Sequence, residues 1–200
     1  MAEWEDYIIN GTKTLKNKLN ITSSEELKKI EKEIVVSKLS YLYIHGMKGN
    51  FDIEHLCKLH EFLFGDIYDF AGKYREVDMF KITGFEHWEL IQEKLEEFFN
   101  TMNNREVNIQ NKFEIAKYLA DYYYILIAIH PFREGNGRTM REFLRQFTSY
   151  KFPMYELDYT KINKNNFQTG IIWHDRYPLL VAYEIYEALV PVEKEKKARM

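Results

Sequence analysis

The stretch from residue 130 to residue 139 reads His-Pro-Phe-Arg-Glu-Gly-Asn-Gly-Arg-Thr. It concentrates a histidine, a carboxylate, two arginines and two glycines around an asparagine, and a further arginine follows at position 141. The histidine can accept a proton near neutral pH, and the carboxylate can hold a divalent metal ion. Glycines let backbone N–H groups approach phosphate oxygens, and arginines neutralise phosphate charge. Together these residue types indicate a site for a nucleoside triphosphate.

Apolar segments flank this stretch on both sides. Residues 111–129 are the most apolar part of the chain, with apolar side chains around most of a helical circumference, which predicts a buried central helix. That helix is expected to end at His130, because Pro131 lacks an N–H and disfavours helix at the residue before it. Residues 139–150 predict the next helix. A polar loop between two buried helices would leave unpaired polar groups unless it formed a ligand site.

Helical periodicity continues through most of the remaining chain. Ser23, followed three residues later by Glu26, predicts a capped helix start, and glycines at residues 45–50 predict its end. Asp52 can cap a second helix, which is expected to end at Phe64. The other predicted helices cover residues 86–102, 163–173 and 177–189. The pattern is therefore that of a mainly α protein.

One segment departs from that periodicity. Residues 74–85 are rich in β-branched and aromatic residues and close with Gly84, which predicts a small β-hairpin, the only strand-like piece of the chain. We expect a single domain over residues 1–200. Its predicted parts are a helical lead-in at 1–50, a core at 51–190, the hairpin at about 74–85, and a charged, solvated tail at 191–200.

The composition excludes several classes of protein. The 200 residues are 46% hydrophobic and 16% aromatic, so that a sizeable core can form and disorder is not expected. A net charge of −3 gives no bulk attraction to nucleic acid or to membranes. No apolar run reaches ~18 residues, no signal-peptide pattern begins the chain, and the single Cys57 cannot form an internal disulfide. We therefore expect a cytoplasmic protein without direct nucleic-acid or membrane partners.

The histidines outside the central stretch receive no catalytic role. His55 and His60 lie five residues apart and therefore off one helical face, and His87 lies among polar neighbours. A zinc site built on His130 and Glu134 would need at least one further ligand, which no motif supplies. Ordinary core or surface positions are predicted for His55, His60 and His87.

The central stretch resembles the full signature of the Fic domain family, His-Pro-Phe-x-(Asp/Glu)-Gly-Asn-Gly-Arg-x-x-Arg. Residues 130–141 match every defined position of it, and we call them the signature. Residues 64–73, with Arg75, Asp78 and Lys81, are similar to the stretch that leads into the family's β-hairpin flap. The resemblance covers most of the chain. It implies a mainly α fold, a Fic-type helical bundle with one short β-hairpin flap.

The resemblance implies a protein adenylyltransferase, which transfers AMP from ATP to a hydroxyl group of a target protein and releases pyrophosphate. His130 would be the general base, Phe132 would anchor the loop in the core, and Glu134 would bind Mg²⁺ against the phosphates. The nucleotide-binding residues that it implies are Gly135, Asn136, Gly137, Arg138 and Arg141 in the signature, and Lys81 and Ile82 on the flap. Two alternatives stay open: transfer of UMP, phosphocholine or phosphate by the same fold, and an inactive nucleotide-binding module.

The resemblance also implies how such a site is controlled. Many members carry an inhibitory helix with the pattern (Ser/Thr)-x-x-x-Glu-(Gly/Asn), whose Glu pairs with the second signature arginine, here Arg141. In this chain only Thr22 and Glu26 have the required spacing, and Leu27 follows them. The chain therefore resembles the toxin of a toxin–antitoxin pair, inhibited by a separate small antitoxin that carries this helix. By analogy, the target docked on the flap would be DNA gyrase or topoisomerase IV.

Overall fold

The computed structural model describes residues 3–80 and 84–192, which form seven α-helices and two short strands. The helices are α1 (Ser24–His45), α2 (Ile53–Phe64), α3 (Ile91–Asn104), α4 (Lys112–Ile129), α5 (Asn136–Lys151), α6 (Lys164–Ile172) and α7 (Leu180–Ala188). The strands are β1 (Tyr155–Leu157) and β2 (Leu189–Pro191). The mainly α class predicted from the sequence is confirmed.

Side-chain caps determine where four of the helices begin. Oxygens of Ser23, Asp52, Asn111 and Asn163 accept hydrogen bonds from backbone N–H groups in the first turns of α1, α2, α4 and α6. The predicted caps at Ser23 and Asp52 are confirmed, and α4 and α6 begin directly after residues 111 and 163, where their helices were predicted to start. Two other helices begin later than predicted. A 3-10 turn at Trp88–Leu90 precedes α3, and α7 begins at Leu180.

The long helix α4, which covers the segment predicted to be the most apolar, lies at the centre and packs against α3, α5 and α7. Its residues Leu119, Tyr122 and Leu126 are buried, as predicted for a central helix. Neither α4 nor any other helix of residues 3–80 and 84–192 combines the length and hydropathy needed to cross a membrane. The chain leaves α4 at His130, which takes a left-handed conformation with φ of 50° as the C-cap.

The strands correct the prediction that residues 74–85 are the only strand-like piece. β1 and β2 pair antiparallel, with Tyr155 opposite Pro191. Each has three residues, too few to show an alternating pattern, and the two are far apart in sequence. In the predicted hairpin, the described residues form one antiparallel bridge between Phe80 and Gly84, whereas residues 81–83, including Lys81 and Ile82, lie outside the described part of the chain.

Candidate active site

The signature forms the tight turn between α4 and α5. α5 begins at Asn136 and not at the predicted residue 139. Gly135 makes this possible, because it adopts a left-handed φ of 81° and its carbonyl accepts the N–H of Thr139 at 3.1 Å. A Cβ at Gly135 would collide with the ring of Phe64. The glycine run therefore brings the loop directly into a helix N-terminus, where backbone N–H groups favour an anion.

The loop is closed by the side chain of Asn136. Its Oδ1 accepts the N–H of Phe132 at 2.9 Å, and its Nδ2 donates to the Phe132 carbonyl at 2.6 Å. Phe132 is fully buried, as predicted for the anchor of the loop. Asn136 is only 3% exposed, so that its amide group belongs to the loop itself. Only the backbone of Asn136 is then available to a nucleotide.

His60 supports the loop from α2. Its Nδ1 accepts the N–H of Gly72 at 2.8 Å, which leaves the ring proton on Nε2, and Nε2 donates to the Glu134 carbonyl at 2.8 Å. The His60 ring stacks on Phe132 with a centroid distance of 3.8 Å. Burial lowers the pKa of His60 to about 4. His60 is therefore a neutral core residue that joins the loop to the segment leading into the predicted flap.

We expect stability to depend on pH through His60. Its pKa of about 4 in the folded protein lies below the ordinary value of 6.5, so that between these values the unfolded chain binds a proton that the folded chain excludes. The free energy of unfolding should therefore fall as the pH is lowered from about 6.5 to about 4, by at most about 3 kcal/mol from this group. Denaturant titrations from pH 4 to 7 should show a shallower fall for His60→Gln. If the free energy of unfolding fell equally with pH in both proteins, the pH dependence would not arise from His60.

The imidazole of His130 is held from two sides. Its Nδ1 lies 3.2 Å from the Ile127 carbonyl, which can only accept, so that Nδ1 carries a proton, and in the neutral form of the ring the lone pair lies on Nε2. The Phe85 ring stacks on it with a centroid distance of 3.7 Å and an interplanar angle of 9°. The predicted flap segment thus reaches His130 through Phe85. This tautomer is the one that a general base using Nε2 requires.

The backbone beside His130 is held by Arg75, which is 1% exposed. Its Nε donates to the His130 carbonyl at 2.8 Å, its backbone N–H to the Pro131 carbonyl at 2.8 Å, and its Nη2 to the Ile129 carbonyl at 3.3 Å. The guanidinium group also donates to the carbonyls of Val77 and Glu86. Arg75 therefore joins both sides of the predicted flap to the end of α4.

The remaining signature side chains line two cavities. His130, Gly137 and Arg141 line a cavity of about 1330 Å³ with Phe85 and residues of α4 and α6. Glu134 and Arg138 line a second cavity of about 740 Å³ with the N-terminal segment and α1. The predicted site residues of the signature thus surround the first turn of α5. Lys81 and Ile82, the predicted site residues of the flap, lie outside the described residues.

Arg133 occupies the variable position of the signature and received no role from the sequence. It is 5% exposed, and its guanidinium carbon lies 3.8 Å from the ring centre of Trp4. Burial lowers its pKa. Arg133 therefore attaches the N-terminal segment to the loop.

Sequence reasoning missed three residues of the site. Arg75 was noticed only as part of the resemblance, and His60 was assigned an ordinary position. Glu31 lies on α1, is 7% exposed and forms an ion pair with Arg138. One signal was available for Glu31, because it lies four residues from both Leu27 and Val35 and so shares their buried helical face. No signal in the sequence shows that Arg75 binds backbone carbonyls.

Comparison with known proteins assigns the family. Residues 50–148 match the Fic/DOC family. The chain is also 32% identical over 168 residues to the "Probable protein adenylyltransferase y4lH" of Sinorhizobium fredii, a match that covers 81% of this chain and 83% of that protein. The chain belongs to the Fic/DOC family. Within the Fic/DOC family it is also 32% identical over 163 residues to the "Protein adenylyltransferase VbhT" of Bartonella schoenbuchensis, and this match covers 34% of VbhT, about a third of its length.

Solved structures of Fic proteins share the fold. The chain superposes on BepC of Bartonella tribocorum, solved with bound AMPPNP, with a TM-score of 0.80 at 24% identity over 94% of this chain and 98% of that chain. It superposes on an ADP-bound Fic domain of Bartonella quintana with a TM-score of 0.82 at 22% identity, over 98% and 99% of the two chains. The Fic-type helical bundle expected from the sequence is confirmed.

Proposed function

We propose that this chain is a protein adenylyltransferase that transfers AMP from ATP to a hydroxyl group of a target protein. The observation that carries the proposal is that His130, Gly137 and Arg141 line one cavity at the N-terminus of α5. In that cavity His130 could act as a base and Arg141 could neutralise phosphate charge, beside backbone N–H groups of a helix N-terminus, which favour an anion. Its volume of about 1330 Å³ has room for a nucleotide and a target side chain. Relatives at 32% identity bear this activity in their names.

The chemistry is an in-line displacement at the α-phosphorus of ATP. The target hydroxyl oxygen forms a bond to this phosphorus, and the bond from the phosphorus to the bridging oxygen of pyrophosphate breaks. His130 Nε2 takes the hydroxyl proton. The first-turn N–H groups of α5 and Arg141 would stabilise the negative charge on the departing pyrophosphate. The family resemblance assigns the same role to Arg138, which lines the second cavity. Lys81 and Ile82 would hold the target or the nucleotide from the flap, along whose edge an extended target segment can bind.

Glu134 is the residue that we propose for Mg²⁺. Its side chain is 45% exposed, and its Oε1 accepts the N–H of Gly135 at 2.8 Å. Within residues 3–80 and 84–192 no group of three or more His, Cys, Asp or Glu residues could hold a metal ion. A single carboxylate nevertheless fits, because Mg²⁺ is commonly bound by one or two carboxylates together with phosphate oxygens and water. The ion would neutralise charge on the phosphates of the bound nucleotide.

Radioactive labelling tests this function against its alternatives. The purified chain is incubated with bacterial lysate and ATP labelled at the α- or the γ-phosphate. We expect protein labelling from α-labelled ATP alone. Labelling from γ-labelled ATP would indicate a kinase, and labelling from UTP or a phosphocholine donor would indicate another transferase. Absence of labelling from every donor, while ATP still binds, would indicate an inactive nucleotide-binding module.

We also propose that a separate antitoxin controls this site. Arg141 lines the cavity and forms no ion pair with a carboxylate of the described residues. The Glu of an inhibitory helix from another protein could therefore pair with Arg141. By analogy with the family, the proteins modified in the cytoplasm would be DNA gyrase or topoisomerase IV. Expression of the unmutated chain alone should then arrest bacterial growth, whereas His130→Ala should not. Normal growth of cells that produce the active chain without an antitoxin would contradict this regulation.

A further inference from the structure

The first signature arginine, Arg138, is held by an acidic residue that lies far away in sequence. Glu31 of α1 places Oε1 at 2.6 Å from Arg138 Nη1, and the side chain of Glu31 is 9% exposed. The other carboxylate oxygen of Glu31 accepts a hydrogen bond from the hydroxyl of Tyr68. Tyr68 is itself 2% exposed. Both oxygens of Glu31 are therefore engaged, and the carboxylate cannot swing freely.

Two further contacts fix the guanidinium group of Arg138. Its Nη2 lies 3.3 Å from Glu134 Oε1, and its central carbon lies 4.7 Å from the ring centre of Phe64. Phe64 also contacts the turn, because its ring fills the space that a side chain on Gly135 would need. The guanidinium is thus contacted by two carboxylates and by an aromatic ring. Its position relative to the first turn of α5 is set before any ligand arrives.

We propose that Glu31 is a positioning residue, which orients Arg138 for the β- and γ-phosphates of ATP. The proposal rests on the adenylyl transfer proposed above. An arginine has five N–H donors. The ion pair with Glu31 uses one N–H of Nη1 and the contact with Glu134 uses one of Nη2, so that three donors stay available to phosphate oxygens. A long side chain loses conformational entropy when it binds. Glu31 removes that loss in advance by ordering the side chain in the folded protein.

Glu31 also acts on nucleotide binding in the opposite direction, and experiment decides which effect is larger. The negative charge of Glu31 weakens the attraction of Arg138 for phosphate. If this effect were the larger one, Glu31 would compete with the nucleotide, and its removal would strengthen ATP binding. The burial of Glu31 and its hydrogen bond from Tyr68 favour the positioning role. If Glu31 competed with the nucleotide, its carboxylate would have to separate from Arg138 when ATP binds, and one buried oxygen would then be unpaired.

The test compares Glu31→Gln with the matched control Glu142→Gln. Glu142 is 6% exposed, lies on α5, and pairs with the non-signature Arg145 at 2.6 Å between Oε1 and Nη2. For Glu31→Gln we expect calorimetry to show roughly tenfold weaker ATP binding, because a charge-assisted hydrogen bond becomes a neutral one. AMP, which lacks the β- and γ-phosphates, should bind within about twofold of its affinity for the unmutated chain. Glu142→Gln should change neither affinity.

A double-mutant cycle then shows whether Glu31 acts through Arg138. ATP binding is measured for Arg138→Ala and for the same variant that also carries Glu31→Gln. We expect the second substitution to have no further effect on ATP affinity, because the group that Glu31 orients is already missing. Additive losses would overturn the proposal. Tighter ATP binding or faster transfer by Glu31→Gln alone would also overturn it, and so would equal losses of ATP and AMP affinity.

Tyr68→Phe provides a second variant if Glu31→Gln does not fold. It removes the hydroxyl that holds Glu31 and keeps the ion pair, so that ATP binding should weaken by a smaller factor and AMP binding should stay unchanged. Unchanged ATP binding in folded Tyr68→Phe would overturn the proposal in that case. These measurements report the binding of ATP and AMP and do not require that the chain transfers AMP. If the unmutated chain fails to label proteins from α-labelled ATP, the proposed function fails, and the comparison of ATP with AMP still decides whether Glu31 orients Arg138.

Discussion

His130→Ala is expected to lower the rate of AMP transfer by ~10²–10⁴-fold and to leave ATP affinity within about twofold of its original value. The variant lacks the imidazole that takes the proton of the target hydroxyl. The loop itself should persist, because Arg75 binds the carbonyl of His130 and the N–H of Phe132 bonds to Asn136, and neither contact uses the imidazole. Transfer is measured with α-labelled ATP, and ATP binding is measured by calorimetry.

A second variant separates chemistry from backbone strain. His130 has a left-handed φ of 50°, which asparagine adopts more readily than alanine. His130→Asn should therefore keep the melting temperature closer to that of the unmutated chain and should still lose transfer. Wild-type rates of labelling in either variant would show that His130 is not the general base. A loss of ATP binding equal to the loss of transfer would show that its role is structural.

Arg75→Met is expected to lower the free energy of unfolding by about 3 kcal/mol or more. The guanidinium group donates to four backbone carbonyls, and each carbonyl that is buried without a donor costs roughly 1–3 kcal/mol. Burial lowers the pKa of Arg75, and Asp78, whose Oδ1 lies 3.9 Å from Nη1, opposes this shift in part. Denaturant unfolding measures the change. AMP transfer by the folded fraction should also fall, because the carbonyls that flank His130 lose their donor.

Arg105→Met is the matched control for Arg75→Met. Arg105 pairs with Asp121 at 2.7 Å, but their side chains are 42% and 38% exposed. An exposed pair of this kind contributes about 1 kcal/mol or less, so that this variant should remain close to the original stability. Arg75→Lys should fall between the two, because an ammonium group keeps the charge and cannot reach all four carbonyls. A change below about 0.5 kcal/mol for Arg75→Met would show that water or other donors replace the guanidinium.

The sequence alone predicted helix boundaries correctly where neighbouring residues determine them. Helix starts at Ser23, Asp52 and Asn163 follow from side chains that cap the next turn, and the end of α4 follows from Pro131. Predictions failed where pairing joins distant segments, as for β1 and β2, or where backbone conformation decides. The left-handed Gly135 moved the start of α5 to Asn136, which a periodic pattern of apolar residues cannot reveal.

The sequence by itself determined the family, the mainly α bundle and the contiguous group of signature residues. These depend on helical periodicity and on neighbours within one loop, which the order of residues specifies directly. Tertiary structure alone decided which groups orient that loop: Arg75 on the carbonyls beside His130, His60 on the carbonyl of Glu134, and Glu31 on Arg138. Each of these contacts joins residues far apart in sequence, so that it depends on how α1, α2 and α4 pack around the start of α5 and on the hydrogen-bond geometry that this packing allows.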